Sequence, residues 1–198
     1  MRLFWLTAIS MIIGNVAQAT DCKLIVSVRD TGRPEFMTER RETLESAEAL
    51  AGKMFRTIGI DVRWRNGAGQ SQTAFHSCGA PILLNADASA DGAPVSKGAF
   101  AYAIPFESSG TSIHMFMDRI TGANGHQFTS VLLAHVMVHE ITHVLEKTGE
   151  HSPDGIMKAH WEYVDLQHMR YHPLPFAQRD VDMIQMGLER HSQTALTE

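Results

Sequence analysis

Cysteine is scarce: the 198 residues contain two, Cys22 and Cys78. Two thiols allow at most one disulfide, and in an oxidising compartment a Cys22–Cys78 bridge is the expected pairing. Closing so long a loop would stabilise the fold by roughly 2–4 kcal/mol if the bridge is unstrained. A basic charge excess is also missing. Lys and Arg number 17 against 22 Asp and Glu, for a formal charge of −5. That leaves no electrostatic footprint for nucleic acid and no lysine-rich face for an anionic membrane. Beyond the N-terminus no stretch is long and apolar enough to be a membrane span.

What is present is apolar material for a core, 44% of the residues, in a length that suits one domain. The N-terminus has the layout of a secretory signal. Arg2 supplies a positive start, Leu3 to Val16 is an apolar stretch, and Ala17-Gln18-Ala19 fits the small-x-small cleavage pattern. Removal of residues 1–19 predicts export to a periplasm or beyond. Residues 20–198 would then form a single domain with no stable membrane anchor, expected as a monomer.

Hydrophobic spacing gives a coarse outline. Lys23 to Arg29 alternates, with Leu24, Val26 and Val28 on one face, as a strand does. From about Thr38 to Ile58, residues Leu44, Ala47, Leu50, Ala51, Met54, Phe55 and Ile58 recur at helical spacing, and Gly59 is a natural stop. Val62 and Trp64 alternate in a second strand, so the opening reads as a right-handed βαβ unit with parallel strands. Pro81 to Asn85 is a short apolar strand between loops. Ser112 to Ile120 alternates again, and Thr121 to Gly125 reads as a turn before a long helix of about Gln127 to Lys147. Near the C-terminus Ala177, Val181, Ile184 and Leu188 share one helical face. The run Glu39-Arg40-Arg41-Glu42 reads as a solvated helix face.

The chemistry-bearing segment is His139-Glu140-Ile141-Thr142-His143. Histidines four apart on a helix project from one face, so both imidazoles can reach one metal ion. The intervening Glu140 can take a proton from metal-bound water without being a ligand. Zinc suits imidazole nitrogen, and a catalytic zinc needs three protein ligands plus water. His135, one turn upstream, reads as a cleft wall or a satisfied surface histidine. Downstream, Gly149 offers the left-handed backbone that ends helices. His151 follows, and Ser152-Pro153-Asp154-Gly155 has the residue preferences of a type I turn just before Ile156 and Met157.

From His139 to Trp161 this ensemble resembles the metzincin clan of zinc endopeptidases, in which a His-Glu-x-x-His helix, a third histidine and a methionine-bearing turn surround the metal. The resemblance implies His139, His143 and His151 as ligands of one Zn2+, Glu140 as general base and Met157 as the turn methionine. It implies an α/β, zincin-like fold: a mixed, mostly parallel small sheet on a backing helix and an active-site helix, with a C-terminal helix. It also implies an edge strand that pairs with an extended peptide or protein substrate, for which Ser112 to Ile120 is the candidate. The clan's usual pattern places the third histidine six residues after the second. Here His151 lies eight after His143, so Glu150, Asp154, His160 and Glu162 stand as rivals for the third position. Tyr163 or Tyr171 could donate to a developing oxyanion. Other readings are an exported zinc-binding or scaffold protein without proteolysis, and a zinc hydrolase acting on a non-protein amide or taking Glu162 as third ligand.

Overall fold

A computed structural model describes residues 23–32, 37–66, 81–92, 95–96, 98–107, 110–124 and 128–195. The expected signal and both cysteines lie outside these residues. Strand β1, Lys23–Asp30, buries Leu24, Val26 and Val28 on alternate positions, as its period-two pattern requires. Helix α1, Met37–Arg56, follows and covers that face with Leu44, Ala47, Ala51, Met54 and Phe55. It ends where Gly59, at φ +80°, lets the Ile60 amide bond back to the Phe55 carbonyl. Strand β2, Asp61–Asn66, then pairs parallel to β1, completing the βαβ unit.

Strand β3, Ile82–Asp87, joins β1 in parallel on its other side. Two further strands, β4 (Ala101–Glu107) and β5 (Gly110–Phe116), complete a five-stranded sheet in the order β2-β1-β3-β5-β4. Among the described strands, only the β4–β5 pairing is antiparallel. Helix α2, Met117–Asn124, leads to the central helix α3, Thr129–Glu146, which packs against α1. Helices α4, Tyr163–Met169, and α5, Gln178–Ala195, follow, and α5 lies on α3. The arrangement is the mixed, mostly parallel sheet on helices that the resemblance implied. Truncating Phe55, fully buried in the shared core, to Ala would cost about 3–5 kcal/mol.

Several expectations are corrected. The strand at 112–120 stops at Phe116, where helix α2 begins: buried Met117 and Ile120 are three apart, a spacing that shares one helix face but would fall on opposite faces of a strand. The expected turn at 121–125 therefore overlaps the end of α2. Nor is this strand an edge: β5 is hydrogen-bonded to β3 on one side and β4 on the other. The edges among the described strands are β2 and β4; β4 alternates Tyr102, Ile104 and Phe106 as a strand does but holds Pro105, and an edge position is where a strand tolerates proline. Arg40 does not lie on a solvated face. It donates to Asp30 at 2.5 Å and to the Ala86 carbonyl at 2.9 Å, tying α1 to two strand ends.

Candidate metal centre

Helix α3 is apolar on nearly every side, with Leu132, Leu133, Val136, Met137, Val138 and Ile141 buried, so its polar residues near the C-terminal end are held in a largely dry setting. His139 and His143 are half-buried there, one turn apart. Each ring is anchored through Nδ1: His139 donates to the Ile156 carbonyl at 2.9 Å and His143 to the Thr148 carbonyl at 3.0 Å. A carbonyl only accepts, so each Nδ1 carries the proton and each Nε2 keeps a lone pair. The two Nε2 atoms face each other at 3.1 Å. Neither has a hydrogen to place between them, and two lone pairs at that distance repel unless a cation lies within reach of both.

The third imidazole completes the arrangement. His151 is exposed, with its ring centroid 5.3 Å from that of His139 and 4.8 Å from that of His143. Among the described residues, His139, His143 and His151 are the one group of three or more His, Cys, Asp or Glu whose ligand atoms all lie within 4.8 Å of one another. Burial pushes His139 down to about 4, helped by the neighbouring imidazoles and opposed by the Ile156 carbonyl. Burial and then His151 likewise lower His143. Both are therefore neutral near pH 7, the form in which imidazole binds metal. Three imidazole nitrogens are a donor set for zinc or a similar borderline metal, not for an oxygen-seeking cation such as calcium.

The chain after α3 is shaped to deliver these contacts. Lys147, not Gly149, takes the left-handed conformation at the helix end, with φ 57°, and its amide bonds to the His143 carbonyl. Gly149 has no positive φ. No hydrogen bond closes the turn expected at Ser152–Gly155 among the described contacts; the Ser152 amide bonds instead to the Met157 carbonyl at 2.8 Å, the Lys158 amide bonds to the Gly155 carbonyl at 3.5 Å, and Gly155 takes φ +71°. A Cβ at Gly155 would lie 2.4 Å from the Pro175 carbonyl oxygen, so only glycine fits. Ile156 is gripped twice: its amide donates to the Pro175 carbonyl at 2.9 Å, and its carbonyl accepts from His139. Met157 beside it is fully buried.

The other singled-out residues divide clearly. Glu140 is half-buried, and burial raises its carboxyl to about 7. His135 is no surface residue. It is 0% exposed, donates from Nδ1 to the Val131 carbonyl at 2.7 Å and accepts the Leu174 amide at Nε2, 3.1 Å. Of the rivals for third ligand, Glu150 pairs with Arg179 at 2.6 Å, and Asp154, His160 and Glu162 are exposed and outside the imidazole group. Tyr163 and Tyr171 are 75% and 78% exposed. Trp161 was not singled out from the sequence, yet its ring stands edge-on to both His139, at 5.5 Å, and His135, at 6.2 Å. The carbonyls of Thr148 and Ile156 were equally unreadable, since a backbone oxygen leaves no mark in residue type.

No family model and no curated protein matches the chain. Among solved structures the chain is similar to archaemetzincin from Methanopyrus kandleri, at 14% sequence identity and a TM-score of 0.48. That match covers 88% of this chain and 99% of the other.

Proposed function

We propose that the chain is an exported zinc-dependent endopeptidase, with His139, His143 and His151 as metal ligands and Glu140 as general base. The observation that carries this reading is the meeting of two unprotonated Nε2 atoms at 3.1 Å with a third imidazole beside them. When bound, zinc would supply Lewis acidity and lower the pKa of a coordinated water to about 7. The protein's part is to hold His139 and His143 as neutral imidazoles in fixed tautomers, with His151 beside them, and to supply the carboxyl of Glu140 next to His139 in the chain. Glu140, raised by burial to about 7, is matched to accept a proton near neutral pH and pass it to a leaving amine. Strand β4 lies at an edge of the sheet among the described strands, where an extended peptide could pair with it, the usual way a protease aligns its substrate.

The test is metal stoichiometry alongside cleavage of a generic unfolded protein. One tightly held zinc and chelator-sensitive cleavage are expected. Glu140→Ala should retain the zinc and lose hydrolysis by about 10²–10⁴-fold, the usual worth of a positioned base. Zinc without cleavage in the unaltered chain would instead mark a metal-binding or scaffold protein, and full activity in Glu140→Ala would remove the base assignment.

A further inference from the structure

The third ligand poses a positioning problem. His139 and His143 are fixed by α3, but His151 is exposed and sits at the end of a connection two residues longer than the resemblance leads one to expect. No hydrogen bond of its own ring holds it among the described contacts. Its neighbours on both sides, however, are bound by the first turn of α5. Ser152 Oγ donates a short hydrogen bond to Asp180 Oδ1, and Glu150 Oε2 accepts from Arg179 Nη2 at 2.6 Å. The two contacts are not equivalent. Arg179 and Glu150 are about half or more exposed, and such a pair is worth about 0–1 kcal/mol. Asp180 is 2% exposed and Ser152 7%, so theirs is a buried, charge-assisted bond whose loss strands a carboxylate oxygen.

Asp180 is in turn fixed to the frame that carries the other two ligands. Its Oδ2 accepts the Ala177 amide at 3.1 Å, which sets the start of α5. Ile184 and Gly187, one and two turns further along the same stripe, are buried. The approach to α3 is so close there that a Cβ at Gly187 would lie 2.0 Å from the Leu145 carbonyl oxygen. A continuous path of contacts thus runs from α3 through α5 and Asp180 to Ser152, the residue next to His151. We infer that Asp180 is a positioning residue: through Ser152 it holds His151 in register with His139 and His143. The role in metal binding rests on the zinc reading above; the mechanical link does not.

The experiment compares Ser152→Ala, Asp180→Asn and Glu150→Ala in the full chain. Zinc affinity is read by chelator competition, cobalt(II) absorption is read on the loaded proteins, and amide hydrogen exchange of residues 148–158 is read without metal. Ser152→Ala removes one oxygen and adds no bulk. It and Asp180→Asn should weaken zinc binding by about 10–100-fold, the usual effect of losing a group that orients a ligand. Both should shift the cobalt band and speed exchange around His151. Glu150→Ala should stay within about threefold of the unaltered chain, as an exposed pair predicts. Unchanged exchange and unchanged zinc affinity in Ser152→Ala would overturn the inference. An unaltered chain that takes up no zinc would overturn the metal reading instead, and the exchange data would still decide whether Asp180 holds the loop.

Discussion

His135 and His139 occupy successive turns of one helix, and both donate Nδ1–H to a backbone carbonyl. Burial lowers both to about 4. They differ in what the second nitrogen meets. His135 Nε2 receives the Leu174 amide, so its hydrogen-bonding capacity is filled. His139 Nε2 meets the Nε2 of His143, and both lone pairs remain available. A histidine's residue type, helix and tautomer therefore do not decide whether it is structural or a ligand. The donor or acceptor facing Nε2 does.

The most severe way to break this contrast is to remove a ring from each side. His143→Ala should reduce zinc affinity by more than the 10–100-fold that a supporting partner is worth, whereas His135→Gln should leave it unchanged. Chelator competition measures both, and loss of zinc from the His135 variant would collapse the distinction. A smaller effect concerns acid stability. His135 titrates near 4 when folded against about 6.5 ordinarily, so between those values the unfolded chain binds the extra proton. Stability is then fully present above about pH 6.5 and falls as the pH drops toward 4, by on the order of 3 kcal/mol at the acid end. Urea titrations from pH 7 to 4 should show a shallower decline in His135→Gln than in the unaltered chain; parallel declines would refute the assignment. The smallest effect is expected at Trp161, whose buried Nε1 has no partner among the described residues. Trp161→Phe keeps an aromatic ring between the two histidines, and should change stability by no more than about 1 kcal/mol while leaving zinc affinity intact.

How legible each of these features was depended on whether the relevant force is local. The opening βαβ unit could be read because Leu24, Val26 and Val28 alternate while Leu44, Ala47, Ala51, Met54 and Phe55 recur at helical spacing, and both periods are set by a single buried face. The paired histidines on α3 were legible for the same reason. Strand β4 was less legible: Tyr102, Ile104 and Phe106 alternate, but Pro105 argues against a strand until its place at the sheet edge is known. Gly149 seemed the natural helix end by propensity, but Lys147 adopts the left-handed backbone and Thr148 turns its carbonyl back to His143. Asp180 lies 28 residues from Ser152, and no local rule links an aspartate at the start of one helix to a serine in a distant loop.

The double grip on Ile156 has a consequence for how this molecule can change. Pro175 holds the Ile156 amide, and Leu174 holds His135, so the backbone is pinned at both ends of the stretch between them. That stretch includes α4, with its exposed Tyr163 and Val164, and the exposed Tyr171 that follows it. It is an excursion closed at its base, where added or deleted residues would lengthen or shorten the detour without shifting the imidazoles. Variation in length and surface chemistry should therefore accumulate at α4, while the two anchoring points tolerate almost none.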